Sequence, residues 1–152
     1  MEVDALQQFL REHIPLSKAM EVEVLEASTM GVKLSAPLAP NINHRRTVFG
    51  GSATALAILS AWALINLRLE DEKLKRRVVI QRSNMTYERP MTASFTASSA
   101  IVNETTWRRF VNPLKRKGKA RIKVNSVLYC NGERVGKLEG DFVGLTLRKT
   151  SV

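Results

Sequence analysis

Apolar residues follow two different rhythms along the chain, and the change from one to the other sets the expected architecture. Leu6, Phe9 and Leu10 share one side of a helix over Asp4–His13, inside an N-terminal helical segment 1–14 that Pro15 follows. Across Ala19–Ala27, acids alternate with Val22, Val24 and Ala27, which is the period of a half-exposed strand. A turn at Ser28–Gly31 leads into a second strand, Val32–Pro37. Residues 38–50, LAPNINHRRTVFG, read as a polar loop rich in Pro, Asn and Gly.

The rhythm then disappears. Residues 47–67 carry no charge over 21 positions, and length alone nominates a membrane span. Gly50-Gly51 marks the helix start, which predicts a central helix over 51–68 with Ser52–Leu67 as its uncharged part. At 1.5 Å per residue that part reaches about 24 Å, short of a ~30 Å hydrocarbon core. A helix apolar on all sides in a soluble protein is a buried one. The expectation is a core helix and no membrane span.

Leu69–Arg77 reads as a charged connection, followed by strands at Val78–Tyr87, Ala93–Val102 and Lys119–Tyr129. Asn131-Gly132 then joins Lys119–Tyr129 to Arg134–Leu147 by the strongest hairpin signal in the chain. The order predicts an α+β fold, an antiparallel sheet packed around one hydrophobic helix, in a single domain over 1–152.

Composition narrows the class. With 44% hydrophobic and 25% charged residues, the chain is neither disordered nor low in complexity. One cysteine, Cys130, excludes an intrachain disulfide framework, and with only two histidines it argues against a zinc site. The start MEVDALQQFL places acids ahead of its apolar residues, unlike a secretory signal, so a cytoplasmic protein is expected. The net charge is +10, from 24 Lys+Arg against 14 Asp+Glu, and such a surplus favours anionic partners. Residues 107–123 concentrate it: Arg108, Arg109, Lys115, Arg116, Lys117, Lys119, Arg121 and Lys123 stand there with no acid. That block reads as an interaction surface or a solvated loop with strand flanks.

Several segments, in order, resemble the hotdog-fold thioesterases, and most closely the YiiD C-terminal thioesterase-like family, found alone or behind an acetyltransferase domain in proteobacteria. They are Ala36-Pro37-Leu38, Asn41 and Asn43, Thr47-Val48-Phe49-Gly50-Gly51-Ser52, Ala61-Trp62, Asn84-Met85-Thr86-Tyr87 with Pro90, Gly118-Lys119, and Gly140-Asp141-Phe142-Val143. The resemblance implies a hotdog fold, a sheet wrapped around the central helix, with protomers paired edge to edge and sites at the dimer interface. It also implies acyl-CoA or acyl-carrier-protein thioesters as substrates, with coenzyme A entering only as part of the substrate and no separate cofactor.

Thioester hydrolysis needs oxyanion donors and a group that delivers water. Gly50 and Gly51 precede an uncharged helix, where free N–H groups and the positive dipole end can meet a carbonyl oxygen. Ser52 reads equally as an ordinary helix cap. Many relatives have His-Gly-Gly where this chain has Phe49-Gly50-Gly51, and an acid about two turns into the helix where this chain has Ile58. The usual base is therefore missing. Asn43 can orient water or the thioester carbonyl, His44 carries an imidazole suited to general-base work, and Thr47 can hold water. Glu88 and Asp141 are the carboxylates near strand segments. Ser60 and Trp62 are candidate substrate contacts on the helix, and Cys130 reads as inert.

Under this reading Lys115, Arg116, Lys117 and Lys119 form a loop for coenzyme A phosphates or an acidic carrier protein. Arg108 and Arg109 beside Trp107 add charge and an adenine-stacking ring. The same features suit nucleic acid, but one local block and an apolar helix favour an acyl ligand. Two alternatives stay open, hydrolysis and acyl-CoA binding without turnover. The apolar helix surface and unpaired strand edges further predict a homodimer, or a homotetramer made of two such dimers, with loop Asn41–Gly51 of one copy near Val78–Tyr87 of the other.

Overall fold

The computed structural model describes residues 1–147. Helix α1 (Val3–His13) buries Leu6 and Leu10, and a short α2 (Pro15–Ala19) follows. Proline suits the first turn of a helix, because it has no N–H to leave unpaired there. The expected strand therefore loses Ala19 to α2 and Met20–Val22 to the turn after it, where Glu21 is left-handed (φ 57°), and β1 runs Glu23–Ser28. Strand β2 (Gly31–Ala36) pairs with it antiparallel.

Helix α3 runs Gly50–Asp71, 22 residues and about 33 Å long at 1.5 Å per residue. It is longer than the sequence suggests, since the first charged residues of the expected connection continue the helix. Length no longer argues against a membrane span, because α3 is long and apolar enough to cross one. Burial accounts for its apolar surface instead: Leu56, Leu59, Leu64, Ile65 and Leu67 are buried among residues of the surrounding strands and helices.

Strands β3 (Arg76–Tyr87), β4 (Phe95–Ala100), β5 (Lys119–Cys130) and β6 (Glu133–Thr146) complete the sheet. The order is β1-β2-β4-β5-β6-β3, and every pairing is antiparallel. Asn131 and Gly132 both take positive φ (53° and 76°) in the β5–β6 turn, the left-handed pair that this dipeptide supplies most cheaply. One core cluster draws on the helices and the sheet together. A sheet curled around a long apolar helix is the hotdog arrangement that the resemblance implies.

Between β4 and β5 the structure has a helix that the charge block concealed, α4 (Glu104–Lys117). Asn103 caps it by accepting from Thr106 N–H at 2.8 Å, and Trp107, Phe110, Val111 and Leu114 form its buried stripe at i, i+3, i+4, i+7. Pro113 lies inside it. The expected loop is a basic amphipathic helix whose apolar side is core.

The two edges of the sheet differ. At β1, α1 side chains occupy backbone groups: Gln7 accepts from Val24 N–H at 2.9 Å, and Arg11 donates to Val22 C=O at 2.9 Å. Strand β3 pairs only with β6, so its other edge is free among the described residues.

Candidate functional site

The loop before α3 is a built structure. Asn41 is buried, its side-chain Nδ2 donates to Met20 C=O at 3.0 Å and Pro37 C=O at 2.8 Å, and its backbone C=O accepts from Phe49 N–H at 2.8 Å. Asn43 pins the loop tip. Its Oδ1 accepts from Arg45 N–H at 2.9 Å and Thr47 N–H at 3.1 Å, while Nδ2 donates to Thr47 Oγ1 at 2.9 Å. Arg46 occupies the left-handed position this tight loop requires (φ 62°), and Val48 N–H donates to Met91 C=O at 2.9 Å. Asn43 and Thr47 thus spend most of their polar capacity on each other and on the loop. His44 stands exposed at the tip.

This loop delivers Phe49 as the residue before α3. Ser52 and Ala53 N–H both donate to Phe49 C=O, at 2.9 and 3.1 Å, and no side chain caps the helix. The N–H groups of Gly50 and Gly51 find no acceptor among the described residues. The Phe49 ring is 57% exposed and lies over Gly51, where a Cβ would stand 2.4 Å from Phe49 Cε2. A side chain at residue 51 would have to push that ring aside.

On the other side stands Tyr87, the last residue of β3, 54% exposed. Its hydroxyl lies 2.5 Å from Thr54 Oγ1 and 3.2 Å from Gly50 C=O. Tyr87 and Thr54 are site residues that sequence reasoning missed. Tyr87 lay within the resembling segment Asn84–Tyr87, but nothing local shows that it meets a glycine 37 positions earlier. From here a half-exposed stripe of α3, Ala55, Ile58, Trp62 and Asn66, runs away from the glycines at helical spacing.

Other expected site residues lie elsewhere. Ser60 is fully buried, with Oγ donating to Ala57 C=O at 2.8 Å and 2.9 Å from Ser126 Oγ; it fastens α3 to β5 and does not meet the surface. Trp62 donates through Nε1 to Val78 C=O at 2.9 Å and stacks on Phe9 at 6.1 Å. Trp107 is fully buried, with the Arg68 guanidinium 4.6 Å from its ring centre, so it offers no face to an adenine.

The basic block is distant from the glycines. Glu72, which caps the carboxyl end of α3, takes Arg108 at 2.6 Å and Lys115 at 3.3 Å. Within one chain the length of α3 separates that cluster from Gly50. Arg116 and Lys117 are exposed in the last turn of α4, and Lys119 opens β5. Burial raises the Glu72 pKa, but hydrogen bonds from Trp107, Lys115 and Arg108 outweigh it and hold the carboxyl below its ordinary range. A hydrogen bond from Arg68 is the main reason that Glu104 is lowered too.

Neither candidate carboxylate reaches the glycines. Glu88 accepts from Arg134 at 2.9 Å. Asp141 sits between Arg82 and Lys123 on neighbouring strands, next to the fully buried Phe142, and so projects from the face of the sheet opposite α3. Among the described residues no three His, Cys, Asp or Glu gather as metal ligands would. The site therefore consists of two free backbone donors at a helix start, a hydroxyl pair beside them and an apolar stripe leading away. It can polarise a carbonyl, hold a water and seat an apolar tail.

Residues 3–146 match the family model described as "Putative thioesterase (yiiD_Cterm)". The chain also resembles solved structures over nearly its whole length. A protein of unknown function from Chlorobaculum tepidum is 28% identical, with TM-score 0.90 over 95% of this chain and 94% of that one. A protein described as a putative thioesterase from Shewanella oneidensis is 26% identical, with TM-score 0.84 over 94% and 96%. A thioesterase from Haemophilus influenzae, 15% identical with TM-score 0.78 over 99% and 96%, shares the fold.

Proposed function

The chain belongs to the YiiD C-terminal thioesterase family, and from that premise we propose that it hydrolyses acyl thioesters of coenzyme A or of acyl carrier protein. The observation that carries this reading is the pair of unpaired N–H groups at Gly50 and Gly51. A thioester carbonyl oxygen accepts from Gly51 N–H, and the helix dipole favours the negative charge that grows on it during attack. Water sits on the Tyr87 and Thr54 hydroxyls and attacks the carbonyl carbon. Asn43 acts by shaping the loop that aims these donors, and the proton that the water loses passes to solvent at this exposed end while the departing thiolate takes one up.

A thiol ionises near pH 8.5, so the thiolate leaves without a general acid. Oxyanion stabilisation and water placement then supply most of the help the reaction needs. The acyl chain lies along Ala55, Ile58 and Trp62. Coenzyme A enters as part of the substrate and no further cofactor is proposed. The cytoplasm, where acyl thioesters are found, is the compartment that fits.

A homodimer completes the proposal. Side chains of α1 occupy backbone groups at the start of β1, while the twelve-residue β3 is paired along one edge only, and its other edge is of the kind that a second copy satisfies. Such pairing brings the basic residues 115–119 of one copy toward the glycines of the other, which the distance within one chain forbids.

Binding without turnover is the second reading, favoured because no carboxylate among the described residues contacts Gly50, Gly51, Thr54 or Tyr87. A panel of acyl-CoAs of rising chain length, with a thiol reporter, decides between them. Thiol release above background supports hydrolysis. Tight binding with the thioester intact after hours supports an acyl-CoA sensor.

A further inference from the structure

At the carboxyl end of α3 the chain encloses a cleft that the proposed reaction does not use. It has a volume of about 590 Å³, within the usual range of small-molecule pockets. Leu6 and Phe9 of α1 form one wall, and Leu67 and Leu74 form the other. The first wall is fixed in place, since Gln7 and Arg11 tie α1 to β1 and Phe9 stacks on Trp62.

The rim has the opposite character. Lys73, Lys75 and Arg76 stand there against one acid, Glu70. The last carbonyls of α3 are already occupied: Arg68, Leu69 and Glu70 C=O accept from Glu72, Leu74 and Lys73 N–H at 2.9–3.0 Å. Side chains therefore set the charge at the mouth, and they are mainly positive. Arg76 adds an independent sign of a ligand. One guanidinium nitrogen donates to Lys75 C=O at 2.9 Å, but Nε is enclosed and has no acceptor among the described residues. An enclosed, unpaired cationic donor is costly, and an anionic oxygen removes that cost.

We infer that this cleft binds a single-chain carboxylic acid of the fatty-acid class. Its tail lies between α1 and α3, and its carboxylate accepts from Arg76 Nε with Lys73 and Lys75 beside it. The site stands about one length of α3 from Gly50 and Gly51, and its occupancy is read as binding, without any thioester turnover.

The test uses the intact protein and cis-parinaric acid, a fluorescent fatty acid. The inference expects saturable one-to-one binding that oleate reverses, with oleyl alcohol at least about tenfold weaker because it lacks the charge. Arg76→Gln combined with Lys75→Gln weakens parinarate about tenfold. Leu74→Glu, which sets a charge in the apolar wall, abolishes binding while the far-UV spectrum is kept. The inference is overturned if wild-type protein takes up no parinarate, which is also the outcome if a second copy already closes the cleft. Equal binding of oleate and oleyl alcohol overturns it, as does unchanged binding in both variants.

Discussion

The ring of Phe49 lies so close over Gly51 that a Cβ at residue 51 would stand 2.4 Å from Phe49 Cε2. The residue just before the helix thus roofs the donor that the proposed reaction uses. Because the ring is more than half exposed, it can swing into solvent when displaced. Gly51→Ala should therefore leave the melting temperature nearly unchanged but lower thioesterase activity about tenfold to hundredfold through misplacement of the N–H. In the double variant Phe49→Ala, Gly51→Ala the clash is gone, and activity should recover above that of Gly51→Ala alone. A double-mutant cycle on kcat/KM measures this, and simple additivity of the two changes would count against the roof.

Tyr87 and Thr54 should act as one unit. Their hydroxyls lie 2.5 Å apart, so removing either leaves the water with one anchor. Tyr87→Phe and Thr54→Val should each lower kcat about tenfold, and together scarcely more than either alone. Steady-state kinetics on all three variants checks this; both residues are at least partly exposed, so folding should be little affected.

Ser126 supplies a contrast. Its hydroxyl donates to Ala57 C=O at 2.9 Å inside the core, beside Ser60, and Ser99 donates to Ser60 C=O at 2.7 Å. Ser126→Ala should cost about 1–2 kcal/mol of stability by chemical denaturation. Its kcat should stay at the wild-type value, since the cluster lies within the α3–sheet contact and away from the glycines.

The account also has a pH signature in stability. Glu72 and Glu104 both have folded pKa values below their unfolded ones. Between the two values the unfolded chain binds more protons, so stability rises with pH there. The contribution is present above the ordinary carboxylate range and is lost as pH falls through the lowered values. Glu72→Gln should flatten this acid limb of the denaturation midpoint plotted against pH. An equally steep limb in the variant would show that Glu72 is not its source.

The alternating strands, the hairpin at Asn131-Gly132 and the uncharged central helix were legible because each has a local pattern. Helix α4 was not, although Trp107, Phe110, Val111 and Leu114 repeat at helical spacing. Five bases and Pro113 in the same helix, with three more bases just beyond it, mask a stripe of only four residues. For the site, Gly50 and Gly51 could be read from composition around a helix start. Tyr87 could not, because its place beside Gly50 depends on how β3 lies across the sheet. Ser60 looked available for the converse reason. On a helix apolar all round, sequence does not show which side faces the sheet.

The most direct test of the central claim follows the two glycine amides themselves. A coenzyme A analogue in which a methylene replaces the thioester sulfur keeps the carbonyl but cannot be hydrolysed. In a ¹H–¹⁵N correlation spectrum, titration with this analogue should move the Gly51 amide proton downfield and, to a smaller extent, that of Gly50, saturating together. Saturation of the analogue with both glycine amides unmoved would contradict the account.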